Sequence, residues 1–143
     1  MDKNFSKIIN STVDKVWTIL TDFDSYPNWN PFIKYLKGTP KEGNKIEVKI
    51  VPPNSNGMIF KPTILKFTPN KELRWLGRLF IPGLFDGEHI FELISNNDGT
   101  TTLIQREKFH GILVPLLKNS LYDTKAGFDL MNKKIKEICE INL

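Results

Sequence analysis

Apolar residues recur at helical spacing near both ends of the chain and at every second position across the span between them. Near the start, Val13, Val16, Trp17 and Leu20 mark one face of a helix, with Ser11 placed to cap it and Asp14 in the third helical position. A short strand over 5–10 precedes it. The segment Asp24 to Pro31 ends that helix, because two prolines and the Asn30-Pro31 step disfavour continuation, and a second helical turn around Asp24 to Trp29 is expected. From Ile33 to Gly111 the alternation predicts strands over 33–38, 44–51, 58–68, 72–79, 85–94 and 101–111. Turn residues separate them, and Asn97-Asp98-Gly99 is the strongest hairpin signal. Connections this short imply antiparallel neighbours in a meander. Pro115 then opens a long helix reaching about Ile141. Leu117, Leu121, Thr124, Phe128, Met131, Ile135 and Ile138 form its stripe, over roughly 40 Å at 1.5 Å per residue. A coiled-coil dimer is the rival reading of that stripe, but a sheet with one apolar face needs covering and this is the long helix available for it.

Strand parity separates the faces of the sheet. Leu73, Trp75 and Gly77 share a face. So do Phe85, Gly87, His89, Phe91 and Leu93, and so do Leu103, Gln105, Glu107, Phe109 and Gly111. His89, Gln105 and Glu107 therefore fall on the apolar side, where each must find a hydrogen-bond partner or cost about 1–3 kcal/mol. Three polar groups with Gly77, Gly87 and Gly111 beside them point to a cavity behind the long helix. Two alternatives stand beside that reading. His89 and Glu107 could be a satisfied pair near the sheet edge, and a bulge at Pro62 or Gly87 could turn these residues outward.

Composition narrows the class. The 143 residues suit one domain, 1–143, and nine Gly with nine Pro are ordinary usage, which excludes collagen-like and low-complexity chains. No apolar run approaches the ~20 residues of a membrane-spanning helix, and the N-terminus lacks a signal-peptide layout. A single cysteine, Cys139, excludes an internal disulfide and suits a cytoplasmic protein. The net charge of +4 is spread along the chain, and its densest cluster, Lys133, Lys134 and Lys136, lies in a helical pattern beside Asp129 and Glu137, so nucleic acid is not an expected partner. Two histidines and one cysteine do not make an ordinary structural zinc site, and no phosphate loop or nucleophile elbow is present, so neither metal nor cofactor is expected.

Three stretches carry a family resemblance: Ser11 to Trp17 running into Asp22 to Pro31, Leu73 to Gly77, and Phe85 to Phe91 with Arg106 to Leu113. Together with the element order they resemble the START-like (Bet v 1-like) helix-grip superfamily, and within it the bacterial polyketide cyclase/dehydrase-type (SRPBCC) proteins. The resemblance implies an α+β fold in which a curved seven-stranded antiparallel sheet wraps a long C-terminal helix, with two short helices after strand 1. It also implies a hydrophobic cavity that in relatives holds lipids, sterols, polyketides, quinones or plant hormones. It carries over no catalytic set.

The expected function is binding of a small hydrophobic ligand, lipid, isoprenoid or polyketide-like. Trp75, Phe91, Phe109, Leu117, Leu121 and Phe128 would form its walls, and His89, Gln105 and Glu107 would orient a polar end. The alternative is a small cyclase or dehydratase, with His89 as general acid or base and Glu107 orienting it. The aromatic turn at Tyr26, Trp29 and Phe32 is a candidate partner surface or cavity lid.

Overall fold

The computed structural model describes residues 2–53, 56–79, 83–114 and 118–141; within these, the side chains of residues 2–4, 79, 85 and 118–123 are outside the description. Strand β1 (Asp2–Ile9) leads into helix α1 (Val13–Thr21), a 3-10 turn (Phe23–Ser25) and the short helix α2 (Tyr26–Trp29). Strands β2 (Ile33–Lys37), β3 (Glu47–Ile50), β4 (Met58–Phe60), β5 (Thr63–Thr68), β6 (Glu72–Leu79), β7 (Phe85–Ser95) and β8 (Thr101–His110) follow, and α3 (Lys118–Glu140) closes the chain. All pairings are antiparallel, in a five-stranded sheet ordered β1-β8-β7-β6-β5 and a three-stranded sheet ordered β2-β3-β4. A single bridge, Lys45 to Thr63, joins the two sheets, backed by Ile46 N donating to Pro62 O at 3.0 Å and Ile64 N donating to Asn44 O at 2.8 Å.

Among the described residues the expected seven strands are thus eight. The run 58–68 divides at Lys61-Pro62, because proline brings no N–H to a ladder and turns the chain from one sheet to the other. The helix cap also moves by one residue. Thr12, not Ser11, caps α1, its Oγ1 accepting from Lys15 N, while the Ser11 carbonyl accepts from buried Thr101 Oγ1 at 2.8 Å. β8 ends one residue earlier than its alternation suggested, since Gly111 takes φ +123, a left-handed turn conformation that side-chain-bearing residues avoid.

At the corner after α2, Asn30 Oδ1 accepts from Phe32 N at 2.9 Å and Ile33 N at 2.8 Å, which fixes the turn into β2. Tyr26 and Phe32 from this aromatic turn are buried, and Trp29 packs edge-on against Tyr26, so the segment belongs mainly to the core. The Tyr26 hydroxyl donates to Leu20 O, and burial pushes its pKa well above the ordinary tyrosine value.

Helix α3 lies over the inner face of the large sheet. Among its described side chains Phe128, Met131, Asn132, Ile135 and Cys139 are buried, a stripe rotated slightly from the expected one, with Ile138 only half-buried. Pro115 and Leu117 lie outside the described residues, and of Leu121 only the backbone, within α3, is described. Gly127 admits the Phe32 ring: a Cβ there would stand 2.2 Å from Phe32 Cδ1. Phe32 and Phe5 both meet the Phe128 ring edge-on, at 5.2 and 5.6 Å. The far end of α3 is tied to β1 by Lys136 Nζ donating to Ile8 O and Asn10 N donating to Glu140 Oε2, both at 2.8 Å.

Candidate functional site

Unbroken register across β6, β7 and β8 sets the inner face as a grid. One row reads Trp75, His89, Glu107; the next reads Leu73, Phe91, Gln105; a third reads Gly77, Gly87, Phe109. The register shifts lie elsewhere, between Ile64 and Lys66 in β5 and between Ile33 and Tyr35 in β2. No bulge turns the polar residues outward, and His89 (5%), Gln105 (0%) and Glu107 (8%) are all buried.

They form a connected row. His89 Nδ1 stands 2.5 Å from Glu107 Oε2, a separation that places one proton between them. His89 Nε2 lies 2.8 Å from Gln105 Oε1, and Gln105 Nε2 donates to Asn132 Oδ1 on α3 at 2.8 Å. Since the Gln105 amide nitrogen is turned to Asn132, its oxygen faces the ring, and His89 Nε2 is the donor there. Burial raises the Glu107 carboxyl above the usual carboxylate range; His89 opposes that shift and Glu88 adds to it.

Aromatic rings hold the imidazole in place. Trp75 stacks on it at 5.0 Å and 22°, Phe91 lies 4.6 Å away, and Phe128 meets it edge-on at 5.0 Å. The volume released by the glycines is used by neighbours. A Cβ on Gly87 would come within 3.1 Å of Glu107 Oε1, and one on Gly77 within 3.1 Å of the Phe60 ring. Gly87 therefore makes room for the carboxyl itself.

The structure thus brings together Trp75, His89, Phe91, Gln105, Glu107 and Phe128, with Phe109 buried in the adjoining row. The sequence reading missed Asn132, fully buried and the residue that couples the row to α3. Its signal was present: Asn132 is four residues after Phe128 and three before Ile135, so helical spacing puts it on the stripe. Both His89 nitrogens are engaged. Within the row, Asn132 Nδ2 is buried without a hydrogen-bond partner among the described residues. No cluster of three or more metal-ligating side chains occurs among the described residues.

The profile of a family described as polyketide cyclase / dehydrase and lipid transport matches residues 4–135. The chain belongs to that family. Solved structures agree on the fold of this family member. A Mesorhizobium loti protein superposes with a TM-score of 0.77 at 18% identity, covering 100% of this chain and 99% of that one. A START superfamily protein from Mycobacterium smegmatis gives 0.73 at 16% identity, with 99% of each chain covered. The di-domain ARO/CYC StfQ from the steffimycin biosynthetic pathway gives 0.68 at 14% identity, over 96% of this chain and 51% of that one. No curated protein sequence matches. The fold is the α+β helix-grip arrangement of the START-like superfamily, and among the described residues no helix is long and apolar enough to cross a membrane.

Proposed function

We propose that this polyketide cyclase/dehydrase-family protein binds a small apolar molecule, lipid, isoprenoid or polyketide-like, between the inner face of the large sheet and α3. The observation that carries the reading is the buried row Glu107–His89–Gln105–Asn132. A core that only needed filling would favour apolar residues there, since each buried polar group without a partner costs about 1–3 kcal/mol. Trp75, Phe91, Phe109 and Phe128 supply the apolar surroundings, and the row orients a polar end. Native mass spectrometry of the purified protein with solvent extraction tests it. A co-purifying apolar molecule is expected. A protein that is empty and takes up no apolar probe would remove the reading.

One observation favours a second reading, catalysis in the same space. Burial keeps a proton on Glu107 to higher pH than usual, whereas both His89 nitrogens are occupied. In a cyclisation or dehydration the proton would pass through Glu107, with His89 as the positioning residue. Glu107→Gln would then abolish turnover while retaining binding; equal turnover in both proteins would dismiss this reading.

A further inference from the structure

Asn132 is unusual among the buried residues of α3. It sits between Phe128 and Ile135 on the apolar stripe, is 0% exposed, and interrupts the helix with a residue of modest helical propensity. Its Oδ1 is satisfied by Gln105 Nε2, but its Nδ2 has no partner among the described residues. Holding Gln105 in place explains the oxygen and leaves the nitrogen unexplained. A buried donor of this kind costs about 1–3 kcal/mol until something accepts from it.

Charge along the row narrows the partner. Glu107 and His89 are paired with one another at 2.5 Å, and both remaining members, Gln105 and Asn132, are neutral amides. Lys3 follows Glu107 in the register on β1, its side chain outside those described. Among the described side chains of the row there is no unpaired cation to receive an anionic group. A ligand carboxylate would lie beside the Glu107 carboxyl with no counter-charge among the described side chains of the row, and desolvating it there is costly.

We propose that the ligand's polar end is an uncharged acceptor oxygen, a ketone or a hydroxyl on an apolar body, and that it docks on Asn132 Nδ2. This rests on the binding function proposed above and assigns the chemical class of the head group. A neutral acceptor completes the open Asn132 donor and leaves the proton of the Glu107–His89 pair undisturbed.

Titration of the intact protein with decan-2-one and with decanoate at mildly alkaline pH tests this, followed by tryptophan emission and by calorimetry. The two probes share chain length and differ in charge at the head. Decan-2-one is expected to bind at least ~10-fold more tightly than decanoate, and Asn132→Leu, of similar size, to lose about that factor for the ketone while leaving decanoate unchanged. Decanoate binding as tightly as the ketone, or a folded Asn132→Leu protein keeping its ketone affinity, would overturn the head-group assignment and leave the binding function standing. Should Asn132→Leu fail to fold, the wild-type comparison decides alone. Binding of neither probe would remove both proposals.

Discussion

Strands β6, β7 and β8 carry polar residues on both faces, under opposite rules. The inner face holds His89, Gln105 and Glu107 among aromatic rings, with every bond directed and almost no water access. On the outer face Arg74 pairs with Glu72 and Glu88, both at 3.1 Å, Arg106 pairs with Glu92, and Arg78 lies 3.9 Å from Asp86. Those groups are partly exposed, so solvent and salt weaken each pair and its individual loss costs little. At the centre of the charged face sits Ile90, opposite Arg74 on one side and Arg106 on the other, and completely buried. The long arginine side chains flank and shelter it. Burial, more than polarity, therefore sets what a residue contributes on either face.

Substitutions can break that contrast at graded points. The largest effect is expected from His89→Ala, which leaves Glu107 buried without its partner and Gln105 Oε1 unmet: about 3–5 kcal/mol lost in urea unfolding. A loss below about 1 kcal/mol would mean that water already supports the pair. Ile90→Ala should follow at about 3 kcal/mol, on the side where charges predominate. If it instead behaved like an exposed position, the arginines would not be covering it.

Glu107→Gln should change stability by about 1 kcal/mol or less near neutrality, since the amide can still donate to His89 Nδ1. Its sharper signature is pH dependence. Burial raises the Glu107 value in the fold, so this group's contribution is full below the unfolded carboxylate value and declines as pH rises through the folded one. The wild type should lose stability relative to Glu107→Gln as pH increases, and parallel curves would contradict the assigned burial cost. The smallest effect is expected from Glu92→Gln on the outer face, under about 1 kcal/mol and shrinking further in high salt.

Much of this arrangement was legible before any coordinates. Parity alone put His89, Gln105 and Glu107 on the inner face, because unbroken two-residue alternation in β7 and β8 leaves no other choice. The division at Pro62 was less visible, since 58–60 and 63–68 are both strand-like and only their pairing partners show that they belong to different sheets. Asn132 was passed over for a different reason. Its spacing was correct, but an apolar stripe is traced by apolar residues, and Met131 next to it offered an equally regular path. The glycines misled as well, since a missing Cβ reports space only if no neighbour moves in, and Phe60 and Glu107 both do.

The notch at Gly127 has a mechanical corollary. With the Phe32 ring seated where a side chain would begin, α3 is keyed to the corner after α2 like a shaft held by a pin. Advancing the helix by a single residue, a screw of about 1.5 Å and about 100°, would bring the Cβ of Ala126 or Phe128 against that ring. The axial position of α3 is thereby indexed to less than one residue. Asn132, just over one turn further on, is held at the height of Gln105 by a contact that involves neither of them.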